Sequence, residues 1–347
     1  MLDHLTSHLR QGLALSDDQV AAAIVGLIDA AASVETKAEF LTALANKGET
    51  TAEIAAFARE LRQRAVLPPV DAETRQREIL DVCGTGGDGQ NTFNVSTTVA
   101  LIVASAGVTV AKHGNRAVTS RSGSADVLEE LGIPIALSPF AAAASLREHH
   151  FAFFFAPNYH PAFRHITAAR KLCAERRQRT IFNFLGQLLN PAQPSAQLVG
   201  VPVPTLCEPM ALVLQSLGVR RGMVVCGRAG DGSLDELSTV GDSTVAEFYH
   251  ARAMSVSLLA PGPFVAGSAQ LSDLTGGDRQ TNAQIIRALL NGSSRGPRRD
   301  LALLNAGAAL FVAGRSVSIS DGFSLAEELI DSGRAERKLK DLASLSR

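Results

Sequence analysis

ILDVCGTGGDGQNTFNVSTTVALIVASAG, residues 79–107, joins an apolar run, four glycines clustered around a lone aspartate, and a helix-like run. Glycine tolerates positive φ and lets main-chain amides approach a ligand without a Cβ in the way. A strand, a glycine turn and a helix start in succession therefore predict an anion cradle. A tight turn with no ligand has the same glycine content, and the flanking sequence has to separate the two.

Upstream, apolar residues recur at helical spacing from Leu2 to about Ala65, as in Val20, Ile24, Leu27 and Ile28, with Ser16-Asp17-Asp18 supplying an N-cap. The prolines of Val66-Leu67-Pro68-Pro69-Val70 break this period. The expected organisation is a helical unit, 1–70, and an α/β unit, 71–347. Downstream, strands are predicted at Glu78–Val82, Val108–Ala111, Phe151–Phe155, Met223–Cys226 and Ser255–Leu258. Helices are predicted at Ser96–Ala106, Gly123–Leu131 and Asp300–Ala313. Strands interleaved with helices imply a central sheet flanked by helices on both faces, with ligand loops at the carboxyl ends of its strands.

The 347 residues are 46% hydrophobic, enough for a substantial core, and Lys+Arg 33 against Asp+Glu 34 leaves a net charge of -1. That balance argues against a nucleic-acid or membrane-surface role. Aromatics are only 5% and Trp is absent, so base-stacking platforms have few candidates. Cys83, Cys173, Cys207 and Cys226 form no CxxC pair, which fits a reduced cytoplasm, and no run approaches the ~18 apolar residues of a membrane span.

Four stretches carry chemistry. In the first, Asn94, Ser96, Thr97 and Thr98 fall on the opening turn of a helix, where free amides and hydroxyls suit phosphate and a serine can ligate magnesium. Simple N-capping accounts for one hydroxyl, not three. The second, VAKHGNRAVTSRSGSADVLEELG (110–132), sets Lys112, His113, Asn115, Arg116, Ser120 and Ser124 around Gly114 and Gly123, a donor set for a polyanion or a solvated turn. In the third, 153–192, Arg170 shares a helix face with Phe163 and Ile166 and is expected to point inward toward an anionic partner. Arg176, Arg177 and Arg179 read as a solvated loop. The fourth, VVCGRAGDGSLDELSTVG (224–241), ends a strand in a glycine loop followed by Asp235 and Glu236, adjacent acids that suit either a helix dipole or a hard cation.

These motifs resemble the anthranilate phosphoribosyltransferase family: GTGGDG at 84–89, NVST at 94–97, KHGNRAVTS at 112–120, SGSADVLE at 122–129, APNYHPA at 156–162, RTIFNFLG at 179–186 and LDELS at 234–238. The likeness runs through the helical opening and through GGD and RDLALLNAGAAL near the end. It implies phosphoribosyl pyrophosphate contacts at Gly84, Gly87, Asp88, Thr92, Asn94, Ser96, Thr97, Lys112 and Ser124. His113, Gly114, Asn115, Arg116, Ala117, Val118, Thr119 and Ser120 join the substrate-binding set. By the same likeness Ser96, Asp235 and Glu236 would ligate Mg2+, Asn115 and Arg170 would contact anthranilate, and His113 and His160 would line its entrance. The resemblance further implies a helical N-terminal domain, a larger α/β domain and a homodimer.

Three departures stand out: Cys226 where the family often has histidine, a loop at 227–233 that looks longer than usual, and Gln187 in place of a common proline. The acceptor is an aromatic amine, already neutral at pH 7, so no catalytic base is assigned. A nucleoside phosphorylase would also need a phosphate cradle, but the paired acids favour a magnesium-pyrophosphate donor. A nucleic-acid-binding relative of the same fold should lack those acids and carry a basic face.

Overall fold

The computed structural model of the chain describes residues 1–117, 121–250, 252–265 and 267–345. Four helices open it: α1 (Leu2–Arg10), α2 (Asp17–Ile28), α3 (Val34–Lys47) and α4 (Thr51–Gln63). Ser16 caps α2 and Thr50 caps α4 through reciprocal capping boxes with Gln19 and Glu53, so the cap expected at Ser16 is present. After α5 (Ala72–Gln76) come β1 (Ile79–Gly84), α6 (Val95–Ser105), β2 (Thr109–Gly114), α7 (Ser124–Glu130), α8 (Pro139–His149) and β3 (Phe151–Phe155). The one-turn α9 (Ala156–Tyr159), α10 (Thr167–Glu175) and α11 (Phe182–Leu185) lead to β4 (Ala196–Gly200) and α12 (Cys207–Ser216). Then follow β5 (Arg221–Ala229), β6 (Gly232–Leu234), β7 (Ser243–Tyr249) and β8 (Ser255–Leu259). The closing helices are α13 (Arg279–Leu290), α14 (Pro297–Val312), α15 (Ile319–Asp331) and α16 (Arg334–Ser344).

All the strands belong to one mixed sheet of order β3-β2-β1-β4-β5-β7-β8, with β6 paired to β5. β3 through β5 are parallel, whereas β6, β7 and β8 pair antiparallel. Side chains alternate across the sheet. Leu80, Val82, Val110, Phe151 and Phe153 meet α6 and the closing helices on one face, while Val199, Val224, Ala246 and Phe248 meet α1–α4 and α10–α12 on the other. Each of the Leu, Val and Phe side chains so buried is worth about 1.5–3 kcal/mol.

The predicted strands and the α/β class are present, with three differences. β4 and β7 lack a sequence signal: AQLVG is short and interrupted by Gln197, and STVAEFY carries Glu247 within its run. The sheet is not covered on both faces throughout, because the edge strand β8 leaves Val256 and Leu258 exposed. The expected loop at 227–233 is a β-hairpin: β5 continues to Ala229 and pairs back with β6 across a tight turn at Gly230, φ 60°. Among the described residues no helix is long and apolar enough to cross a membrane.

Candidate active site

The parallel strands β1, β2 and β4 end in glycines, and the site forms on those ends. Gly84 and Gly200 are register partners. A Cβ on Gly84 would lie 2.6 Å from an Asp235 carboxylate oxygen, one on Gly200 1.5 Å from the Asp235 carbonyl, and one on Gly227 2.6 Å from the Glu236 carbonyl. Missing side chains at two strand ends and within β5 leave room for the acidic strap 235–237 to lie across the sheet edge, where no larger residue would admit it.

The strap is held from both sides. Thr85 Oγ1 donates to Asp235 Oδ2 at 3.1 Å, the Gly86 amide donates to the same oxygen, and the Asp235 amide donates to Asp88 Oδ2 at 3.4 Å. From the opposite direction Asn305 of α14, wholly buried, accepts from the Leu237 amide at 2.9 Å and donates to the Leu237 carbonyl at 3.0 Å. A side-chain amide here takes the place of a neighbouring strand.

Burial, with Asp88 nearby, pushes the Asp235 carboxyl up to about 7, against the pull of the Gly86 and Thr85 donors. Burial raises Glu236 well above the ordinary range, and the adjacent Asp235 adds to it. The opposing cation is Lys112, buried in β2, whose Nζ donates to Val82 O at 2.8 Å and Ser96 Oγ at 3.2 Å. Burial lowers the Lys112 ammonium, partly offset by Asp81 and Glu236. No three His, Cys, Asp or Glu side chains among the described residues form a metal cluster. Two under-compensated acids beside a serine hydroxyl nevertheless fit Mg2+, which takes one or two carboxylates and completes its shell with water and substrate phosphate.

The three hydroxyls expected at the start of α6 separate. Ser96 faces Lys112, Thr98 Oγ1 donates back to Asn94 O at 3.0 Å, and Thr97 Oγ1 is buried without a partner. Gly87 is exposed, and Thr92 forms a bridge with Thr275. Gly114 lies beneath Ser124: a Cβ there would be 2.1 Å from Ser124 Oγ, which donates to Asn115 O at 3.4 Å. The Asn115 side chain is exposed and accepts from the Arg116 amide. Arg116, expected in the donor set, pairs its guanidinium with Asp126 at 3.0 Å and Glu129 at 2.9 Å. Ala117 donates its amide to Asp126 at 2.9 Å. Val118, Thr119 and Ser120 lie outside the described residues.

On the other sheet face a file of rings runs from α10 to the end of β2. Arg170 sits 5.2 Å over Phe182, which meets Phe163 edge-on. Phe163 stacks on His160, and His160 meets His113 at 5.4 Å. Arg170 is exposed as a residue, yet its guanidinium lies on the buried Phe182 ring, where burial lowers its pKa; no carboxylate among the described residues pairs with it, and the aromatic face replaces the expected acid. Burial drives His113 down to about 3 and His160 to about 4, so both are neutral at pH 7. His113 Nδ1 faces Gly186 O at 3.2 Å and therefore carries the proton. Arg176, Arg177 and Arg179 are exposed, as expected.

Sequence reading missed Asp81, Asn190, Asn282 and Asn305. Asp81 is wholly buried beneath His113, accepting from the His113 amide at 3.3 Å and from Asn190 Nδ2 at 2.9 Å, and burial pushes its carboxyl up to about 6. The available signal was an acid or amide inside an apolar run, as in ILDVC and LLNAGAAL. Of the departures, Cys226 is buried in the core, and Gln187 follows the Gly186 carbonyl that meets His113.

Residues 3–65 match the family described as glycosyl transferase family, helical bundle domain, and residues 76–336 match its a/b domain. An anthranilate phosphoribosyltransferase of Methanosphaerula palustris is 42% identical over 347 residues, 100% of this chain and 99% of the relative. The crystal structure of the Thermus thermophilus anthranilate phosphoribosyltransferase superposes with a TM-score of 0.88 at 38% identity, covering 99% of each chain. The Saccharomyces cerevisiae enzyme, solved in complex with PRPP and Mg, superposes at 0.85 with 28% identity, covering 99% of this chain and 98% of its own. The chain therefore belongs to the anthranilate phosphoribosyltransferases, glycosyl transferase family enzymes of tryptophan biosynthesis that move a phosphoribosyl group from its pyrophosphate onto the amine of anthranilate.

Proposed function

We propose that this chain binds phosphoribosyl pyrophosphate along residues 84–97, Lys112 and Ser124, and anthranilate along the file of rings between His113 and Arg170. The observation that carries this reading is the buried Asp235–Glu236 pair opposite Lys112, an arrangement that is costly alone and relieved by a cation with a polyphosphate. Ser96, Asp235 and Glu236 would hold Mg2+, which would offset the negative charge that grows on the departing pyrophosphate. Lys112 and the glycine-loop amides bind the phosphates and keep C1 of the sugar turned toward the acceptor. Positive charge develops on the ring as the bond to pyrophosphate lengthens, and the neutral amine attacks without a base. His113 and His160, uncharged at pH 7, exclude water from its path, while Arg170 and Asn115 fix the carboxylate end.

The chain works as a homodimer joined through its N-terminal helices, in a reducing cytoplasm that its four free cysteines suit. The division near residue 70 belongs to the same proposal, with catalysis assigned to 71–347.

Anthranilate fluorescence gives the direct assay. Its loss on adding phosphoribosyl pyrophosphate and magnesium is expected, with adenine, uracil and nicotinate left unconsumed. Asp235→Asn with Glu236→Gln should lower turnover on the order of 10²- to 10³-fold. Consumption of a control acceptor instead, or normal turnover in the double variant, would overturn the reading.

A further inference from the structure

We propose that Asn282, which no motif assigns a role, is a positioning residue for the phosphate site: it holds the Asn94 side chain away from the first turn of α6 and so keeps the Thr97 amide of that turn open to phosphate. The proposal rests on reading residues 84–97 as the phosphate site.

Asn94 is the residue before α6, where an asparagine ordinarily caps by accepting from an amide of the first turn. Here it makes no such bond. Its Oδ1 accepts from Asn282 Nδ2 at 2.8 Å, and its Nδ2 donates to Ser122 O at 3.1 Å. Asn282, 2% exposed, accepts on Oδ1 from the Gly277 amide at 2.8 Å. The relay has one direction only. A main-chain N–H fixes the oxygen of Asn282 at one end and a main-chain carbonyl fixes the nitrogen of Asn94 at the other, so neither amide can flip without opposing like groups.

The anchor is rigid because the segment before α13 is built into the glycine loop's exit. The Gly276 amide donates to Asn91 O at 2.8 Å, the Phe93 amide to Leu274 O at 3.2 Å, and Thr275 bridges Thr92. A Cβ on Gly276 would lie 2.6 Å from Asn282 Oδ1 and 2.7 Å from Phe93 Cα. The GGD stretch, 276–278, therefore brings Asn282 against Asn94. With the cap withheld, the Thr97 amide has no acceptor among the described residues, and the Thr97 hydroxyl beside it is also without a partner. These are groups that a phosphate oxygen satisfies.

Removing Asn282 releases Asn94 Oδ1 to swing onto the Thr97 amide in competition with phosphate. The test is calorimetric binding of phosphoribosyl pyrophosphate by the full chain, with steady-state constants for both substrates. Asn282→Ala should bind the donor about tenfold more weakly, the scale of one buried hydrogen bond exchanged, while the anthranilate KM stays within about twofold. Asn282→Asp keeps the volume and the acceptor for Gly277 but loses the donor to Asn94, and it should show the same split. In an Asn94→Ala background Asn282→Ala should add no further loss, because the side chain through which it acts is gone. Unchanged donor binding in both Asn282 variants, an undiminished loss in the Asn94→Ala background, or equal damage to both substrates would overturn the proposal. A wild-type chain that fails to bind the donor would remove the functional reading itself and this inference with it.

Discussion

Arg170 is exposed on α10, with its guanidinium over Phe182 and no acid beside it. A cation held by a ring face keeps its N–H fork free for an incoming carboxylate, which two parallel hydrogen bonds then bind. Arg170→Ala should raise the KM for anthranilate at least about tenfold, with little change for phosphoribosyl pyrophosphate. Lysine should rescue only in part, since an ammonium restores charge without the planar fork. Because no ion pair is broken and only the contact with the Phe182 ring is lost, thermal stability should fall by no more than about 1 kcal/mol. A marked fall in melting temperature with both substrates affected alike would give Arg170 a structural role instead.

At the scale of elements, the acidic strap depends on what its neighbouring strands omit. Gly84, Gly200 and Gly227 sit on β1, β4 and β5, and each leaves room for the strap's backbone or carboxylate. A methyl group on Gly200 cannot coexist with the Asp235 carbonyl 1.5 Å away, so Gly200→Ala must shift the strap. The expected result is destabilisation of about 1–3 kcal/mol. Turnover should fall on the order of 10²-fold as the acids leave their positions, measured by thermal unfolding and by the anthranilate assay. Gly262, with nothing within 4 Å of its added Cβ, is the control and should tolerate alanine. Normal activity in Gly200→Ala would show that the strap can move without consequence for the acids.

Over the whole molecule, the N-terminal helices are too apolar to bury their faces against one another alone, and the rest of the chain covers them. Val20, Ile24, Phe40, Leu44 and Phe57 join Ile166, Phe182, Leu185, Met210 and Leu214 of the same chain in one core, so the surplus is satisfied within the chain. What remains for self-association is narrower. A Cβ on Gly26 would lie 2.7 Å from Leu2, which brings α1 close to α2 and sets the exposed Met1 and Val25 beside that contact. We propose these two exposed apolar residues, next in sequence to Leu2 and Gly26, for a two-fold contact. Sedimentation at micromolar concentration should give a dimer, with Val25→Glu shifting it toward monomer and leaving the fold intact. A wild-type monomer would overturn the homodimer.

The sequence by itself determined the α/β class, the helical opening, the strand end that carries Lys112 and the loop that carries Asp235 and Glu236. Each of these is a local matter: hydrophobic period, proline breaks and glycine-rich strand ends are written in consecutive residues. Tertiary structure alone decided that Arg170 meets a ring instead of an acid, that Arg116 is spoken for by Asp126 and Glu129, and that residues 227–233 fold back as a hairpin. It alone brought Asn282 to Asn94 and Asn305 to Leu237, partners 188 and 68 positions apart. Those pairings are set by which strand ends and helix faces the sheet order makes neighbours. A buried amide in a helix announces only that it needs a partner, and the fold decides which main-chain or side-chain group that is.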